Sequence, residues 1–310
     1  MPFYEPMLAT PWRVPFDDPG WWFEVKWDGV RVLAEVGPDS VVLRSRNGNN
    51  MTGRYPELAS VRCDQTTVID GEIVALDSSG RPSFQLLQSR MNTTPTNELI
   101  DRVPVTLMAF DILHHGEELI AAPIEERWAH LDSLALGNRV VRSSPTRGAG
   151  KALYAAVVAG GLEGVVAKKS GSPYRPGRRS PDWRKIVHRR SGRFVVVGFL
   201  PGHGARASTF ASLLLGLHRD QGIVYVGAVG SGFDDASLVH IRAALDQMQI
   251  DDRPVRSDST IDRSARWVEP VLCAVVEYRE WTGDGHLRAP VFKGFAAEPA
   301  TDATWEAEGP

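Results

Sequence analysis

With only two cysteines in 310 residues, Cys63 and Cys273, far apart in the chain, the sequence excludes a disulfide framework and, from thiolates alone, a metal site. Both read as buried or half-buried small apolar residues. Long hydrophobic runs are missing too: none approaches the roughly 18 residues that cross a membrane. The start, MPFYEPMLATPW, lacks the basic and then apolar order of a secretion signal. A membrane partner is thus set aside and a cytoplasmic location expected. No internal repeat is visible. A large net charge is absent as well, the formal value being −3, which on its face argues against a nucleic-acid partner.

What is present is apolar content of 43 % in a chain long enough for a sizeable core and, by length, about two domains. Charge is distributed unevenly. Between Lys168 and Arg193 stand Lys169, Arg175, Arg178, Arg179, Arg184, Lys185, Arg189 and Arg190 against the single acid Asp182. A local patch of this kind matters more than the total, although a solvated basic loop has the same composition.

Strand-like runs cover Trp22 to Val36, Ser40 to Arg44, Thr67 to Leu76, Val105 to Leu113 and Gly164 to Lys168. Helical stretches are fewer: Ile124 to Leu134, opened by Pro123, and Lys151 to Ala159, stopped by Gly160-Gly161. This is α+β patterning rather than regular strand-helix alternation. HRRSGR, His188 to Arg193, marks a linker, after which short apolar runs and one helical stretch, Asp235 to Met248, suit a small barrel of the oligonucleotide/oligosaccharide-binding (OB) kind. The tail from Glu298, residues 298–310, is acidic and apolar-poor and is expected to be disordered.

The stretch FEVKWDGVR, Phe23 to Arg31, poses a choice. Asp28-Gly29 between alternating apolar runs signals a hairpin turn, with Lys26 a solvated charge beside it. Other segments are as ambiguous singly. LRSRNG sets Arg44 and Arg46 beside a turn, IDGEIVAL opens an apolar strand with Glu72, and EGVVAKK puts Glu163 and a lysine at the ends of a strand. Surface charges explain each of these on its own. In combination they offer chemistry. A lysine amine can bond to phosphorus when its charge is relieved as a triphosphate arrives, dividing one hard transfer into easier steps. Cations must surround the phosphate as pyrophosphate leaves, and carboxylates suit Mg²⁺ or Mn²⁺.

In order, KWDG at Lys26, SRNG, DGE, FDIL at Phe110, EGVV and WRKI at Trp183 resemble the motif series of the covalent nucleotidyltransferase superfamily, which comprises ATP-dependent DNA ligases, RNA ligases and mRNA capping enzymes. The chain looks most like bacterial ATP-dependent ligases related to the ligase domain of the end-joining enzyme LigD, especially the stand-alone LigC type. The resemblance extends to PMLA at Pro6, SPYRPGRRS at Ser172, YVGAVGSGF at Tyr225 and EWTGDGHLRAPVFKGF at Glu280. It implies a nucleotidyltransferase domain with antiparallel sheets over residues 1–190 and an OB-fold β-barrel over residues 191–297. It also implies a DNA-repair ligase that seals a 3′-hydroxyl to a 5′-phosphate with ATP, AMP riding on Lys26 and then on the DNA. The same resemblance implies Mg²⁺ or Mn²⁺ as the cofactor metal, nicked duplex DNA as the partner and a monomeric chain. A separate repair polymerase or a Ku-like protein would have to supply recruitment or gap filling.

Roles follow by the same resemblance. Lys26 is the nucleophile, and Asp28 shapes its loop and joins Glu163 at the metal. Arg31 and Glu72 contact the ribose or adjoining phosphate. Phe110 stacks on adenine, Val166 covers its other face, and Glu24 sits near the adenine amine. Lys185 contacts the α-phosphate, Lys168 belongs to the nucleotide set, and Arg46 lies near the end of the broken strand. Arg44, Arg46, Arg178, Arg179, Arg206, Arg288 and Lys293 form the DNA-contacting set. Three departures bear on efficiency: Val187 where the family has the second lysine of Lys-x-Lys, Ala228 at a basic position of the barrel, and Ala296 after Phe-Lys-Gly-Phe. They keep two alternatives open, a degenerate ligase acting as a nick-binding module and an RNA ligase or capping-type enzyme.

Overall fold

In the computed structural model, which describes residues 4–91, 93–220, 222–256, 258 and 260–310, FEVKWDGVR does not fold back on itself. The chain divides into two units, Met1–His188 and Arg189–Pro310. The first contains strands β1 (Leu8–Pro11), β2 (Asp18–Val25), β3 (Val30–Val36), β4 (Val41–Ser45), β5 (Thr67–Ala75), β6 (Val105–His115), β7 (Glu117–Glu118), β8 (Val140–Arg142), β9 (Thr146–Gly148), β10 (Gly164–Lys169) and β11 (Arg179–Val187). They make two mostly antiparallel sheets, ordered β1-β11-β10-β2-β9 and β4-β3-β5-β6-β7, with β8 beside β6.

Strands β2 and β3 therefore lie in different sheets, and the segment from Lys26 to Gly29 crosses between them. This overturns the hairpin reading: β2 pairs with β10 and β9, and β3 with β4 and β5. Gly29 is needed for backbone approach rather than for a turn, since a Cβ there would lie 2.1 Å from the Ile73 carbonyl oxygen.

Both faces of β3 are covered, which is why apolar residues stand on both of them. Val32 and Ala34 point into a core with Ile69, Ile73 and Leu107. Leu33 points the other way, joining Val68 and Leu113 against Met7, Tyr174 and Trp183 from the first sheet's side. Each fully buried side chain of this size contributes about 1.5–3 kcal/mol. Helices α1 (Phe84–Met91), α2 (Asn97–Arg102), α3 (Ile124–Ser133) and α4 (Gly150–Ala159) complete the unit. In α3, Glu125 and Glu126 sit favourably in the first turn and Leu131 faces the core.

The second unit holds β12 (Arg190–Pro201), β13 (Phe210–Arg219), β14 (Gly222–Val229), α5 (Asp235–Gln247), β15 (Gln249–Ile250), β16 (Arg266–Val268), β17 (Cys273–Tyr278), β18 (Val291–Phe295) and α6 (Trp305–Glu308). Long β12 serves two neighbours on one edge, β17 along its first half and β16 at Gly198 and Phe199. The curled sheet brings β14 toward the segment before β18, and Leu287 N donates to Val226 O at 2.8 Å. No ladder joins those edges among the described residues, so the OB fold is a partly open barrel.

The tail is ordered, contrary to the expectation from its composition. Residues Ala300–Asp302 form a 3₁₀ turn leading to α6, Ala300 and Ala303 are buried, and His218 N donates to Ala303 O at 2.9 Å. Arg219 lies 4.7 Å over the Trp305 ring, and Arg193 Nε donates to Glu308 Oε1 at 3.0 Å. Few apolar residues suffice here because they join an existing core instead of building one.

Candidate active site

Strand register assembles one wall. In β2, β10 and β11, Glu24, Val166 and Lys185 lie in a row; two residues along, Trp22, Lys168 and Trp183 form the next row on the same face. Where β2 ends and β10 begins, Lys26 N donates to Gly164 O at 2.8 Å, and Lys26 Nζ meets Glu163 Oε2 at 2.5 Å. Residues far apart in sequence thus become partners. The other sheet contributes Arg31 and Glu72, directly paired across β3 and β5, and Phe110 from β6.

Between the walls is a pocket of about 250 Å³. Its lining contains Glu24, Lys26, Arg31, Arg46, Glu72, Phe110, Val166, Lys168 and Lys185, together with Leu8, Ala9, Val25, Trp27, Arg179 and Trp183. Asp28 is half-buried and is not in that lining, whereas Glu163 reaches the pocket through Lys26.

At the apolar end, Lys168 is buried, donates to Phe110 O at 2.7 Å, and lies 4.9 Å over the Phe110 ring and 4.6 Å over the Trp183 ring. Its Nζ is 2.8 Å from Glu24 Oε1, yet that oxygen has no aligned hydrogen bond and keeps an acceptor site. Burial pushes the Glu24 carboxyl up, opposed by Lys168. The indole N–H groups of Trp27 and Trp183 are likewise buried without a partner. Such orphaned groups beside a cavity are what an absent polar ligand satisfies.

The charged end is richer in cations. Burial, Lys26 and Arg179 push the Lys185 amine down. Burial pushes the Glu72 carboxyl up to about 8, against the pull of Lys26 and Arg31. Arg31 is fixed by a bidentate pair to buried Asp70, at 2.9 and 2.6 Å, and Tyr174 donates to the same carboxylate at 2.6 Å. The sequence reading missed Asp70, Tyr174, Trp27 and Trp183. Asp70 had a usable signal, because it stands two residues from Glu72 in IDGE and so shares its face.

The remaining site residues are dispersed. Arg44 pairs with Glu35 across the sheet at 2.6 Å, and Arg178 is exposed on the approach to β11. In the second unit, Arg206 donates to Gly230 O at 3.1 Å, Arg288 pairs with Glu280 at 2.5 Å and Lys293 with Glu277 at 3.4 Å. Among the described residues no three or more His, Cys, Asp or Glu side chains converge as a ready metal cage. Glu163 and Asp28 still suit a hard divalent cation by their chemistry, because Mg²⁺ usually takes one or two carboxylates and completes its shell with water and substrate phosphate.

Comparison with known proteins agrees in kind with this geometry. The family model described as "ATP dependent DNA ligase domain" matches residues 6–186, and that described as "ATP dependent DNA ligase C terminal region" matches residues 206–298. The chain is 36 % identical to the multifunctional non-homologous end joining protein LigD of Mycolicibacterium smegmatis over 98 % of its own length, but spans only 40 % of that relative. It is 28 % identical to the prophage-derived DNA ligase-like protein LigB of Bacillus subtilis, covering 94 % of this chain and 99 % of the other. A solved mycobacterial DNA ligase D complexed with ATP is similar, with 31 % identity, a TM-score of 0.56, and coverage of 97 % of this chain and 98 % of that one.

Proposed function

The chain belongs to the ATP-dependent DNA ligase family, and we propose that it seals 3′-hydroxyl/5′-phosphate nicks in duplex DNA through a lysyl-AMP on Lys26 and a DNA-adenylate. The observation that carries this is the Lys26–Glu163 contact of 2.5 Å at the mouth of a pocket whose far end is aromatic and whose near end is cationic. Adenine fits the far end: Phe110 and Val166 offer faces, and Glu24 Oε1 an acceptor for its amine. Arg31, held by Asp70, and Glu72 meet the ribose.

For the first step Lys26 Nζ must lose a proton, which Glu163 Oε2 is placed to accept. The N–P bond forms as the bond from the α-phosphorus to pyrophosphate breaks, and Lys185 stabilises the charge on the α-phosphate. A 5′-phosphate oxygen of the nick then takes AMP from Lys26, and the 3′-hydroxyl displaces AMP. Mg²⁺ or Mn²⁺, held by Glu163 together with Asp28, would supply charge neutralisation on the phosphates. DNA is assigned to Arg44, Arg46, Arg178 and Arg206, with Arg288 and Lys293 on the OB fold.

The setting we assign is end-joining repair, the process named for the mycobacterial relative, in the cytoplasm and at the nucleoid, with a monomeric chain and a separate polymerase or Ku-like partner. No helix among the described residues is long and apolar enough to cross a membrane. Intact-protein mass after pyrophosphate stripping and incubation with ATP and metal tests the chemistry. An AMP adduct absent from Lys26→Ala and lost on mixing with nicked duplex is expected. Normal nick binding with no adduct would favour the binding-module reading, for which the missing charge at Val187 is the specific motive.

A further inference from the structure

We propose that Arg179 takes the place of the missing second lysine and holds the leaving pyrophosphate end of ATP while Lys26 is adenylylated, an inference that rests on the nucleotidyl-transfer reading above. On β11, Trp183 and Lys185 face the pocket, and strand alternation puts residue 187 on that face, where Val187 carries no charge. Some other cation must balance the phosphates.

Two candidates are already engaged. Lys168 is buried at the adenine end between Glu24 and the Phe110 carbonyl. His188 does not line the pocket, and its Nδ1 is 3.5 Å from the Tyr154 hydroxyl. Arg179 differs from both. It is exposed, opens β11, and lines the same pocket as Lys26 and Lys185. One guanidinium nitrogen donates to Ala9 O at 2.5 Å, and β1 pairs with β11 at Leu8 and Arg179, so the group is anchored to the pocket wall. Its other N–H groups have no protein acceptor among the described residues. The downward shift of Lys185 reports the same closeness, with Arg179 following burial and Lys26 among its causes.

A guanidinium with free N–H groups can bind two phosphate oxygens at once, where lysine offers a point charge. As Nζ bonds to the α-phosphorus, the bridging oxygen leaves with its electron pair, and Arg179 neutralises the charge developing on pyrophosphate. Arg179 is thereby moved from the DNA set into the nucleotide set.

The test measures single-turnover lysyl-AMP formation at saturating ATP in the wild type, Arg179→Ala and the double variant Arg179→Ala/Val187→Lys. AMP transfer from pre-adenylylated enzyme to nicked duplex is followed in parallel, with circular dichroism as a check on folding. Arg179→Ala should slow adenylylation about 10²-fold, the usual scale for losing one charge-stabilising donor, and leave transfer unchanged. Restoring a lysine at 187 should recover most of the loss. Adenylylation at the wild-type rate, a defect confined to transfer, or a folded double variant as slow as the single one would each overturn the proposal. A wild type that forms no lysyl-AMP overturns the underlying functional reading as well, which the variants cannot do.

Discussion

Two charge clusters in the first unit are made from the same residue types and behave as opposites. Arg127 and Asp111 are fully buried, and every side-chain nitrogen and oxygen of the pair has a partner: Nε and Nη2 reach the two carboxylate oxygens at 2.7 and 2.9 Å, while Nη1 reaches Ala122 O at 2.7 Å and Ser172 O at 3.0 Å. The nucleotide pocket has Lys26, Arg46, Arg179 and Lys185 against Glu163 and Glu72, and within it the Glu72 carboxyl is pushed up and the Lys185 amine down. The first cluster ties β6 and α3 to the segment before β11. The second has charge to spare, as expected of a place where an anion arrives and leaves. Residue type does not separate joint from site; saturation does.

The largest effect should come from breaking the saturated cluster. Arg127→Met strands a buried carboxylate and should cost about 3–5 kcal/mol in denaturant unfolding. A cost within the range of a surface substitution would refute the assignment of this pair as a joint. Glu163→Gln is the mirror case. It should slow lysyl-AMP formation by about 10²-fold, a general-base scale, while costing less stability than Arg127→Met, because its partner Lys26 is a quarter exposed and can be solvated. If it instead unfolded the protein and spared the first step, the division between clusters would collapse.

A smaller effect belongs to Glu72. Its folded-state pKa, about 8, is above the ordinary value of 4.5. Between those values the unfolded chain has released a proton that the folded one keeps, so stability present below pH 4.5 is lost as pH rises toward 8. The melting temperature should therefore decline across this window from Glu72 alone, and Glu72→Gln should flatten the decline. A variant with the wild-type slope would assign the pH dependence to other groups.

The α+β class, the strands carrying Glu72 and Phe110, the strand that follows Glu163, and helices α3 and α4 were legible because periodicity and flanking glycine or proline are local signals. The path of the chain at Asp28-Gly29 was not. A hairpin and a crossover share the same residues, and only the demands of β10 on one sheet and β5 on the other decide between them. Likewise β11 reads as a basic loop, since its alternation of Trp183, Lys185 and Val187 with Arg184 and Ile186 has charge on both faces. Arg184 is accommodated by lying 4.0 Å over Trp12 and 4.3 Å over Trp21, a tertiary arrangement with no local trace. Motif order put Lys26 and Glu163 in one site, but their pairing was not legible, because register between β2 and β10 is a long-range property.

The second unit poses the same contrast on a smaller scale, between an acidic segment's composition and its packing. Trp305 lies against Trp281 at 5.7 Å and beneath Arg219, and is half-buried rather than sealed. Trp305→Ala should therefore cost only about 1–2 kcal/mol, below the cost of a fully buried aromatic. Amide exchange reads the effect locally. His218, whose N–H bonds to Ala303 O, should exchange faster in the variant, while amides of β12 that pair with β13 keep their protection. Equal exchange at His218 in both proteins would mean that the tail is held by Ala300, Ala303 and the Arg193–Glu308 pair alone. Faster exchange throughout β12 would mean that the last residues of the chain are part of the OB core, for which apolar count is a poor guide when each apolar residue has a waiting place.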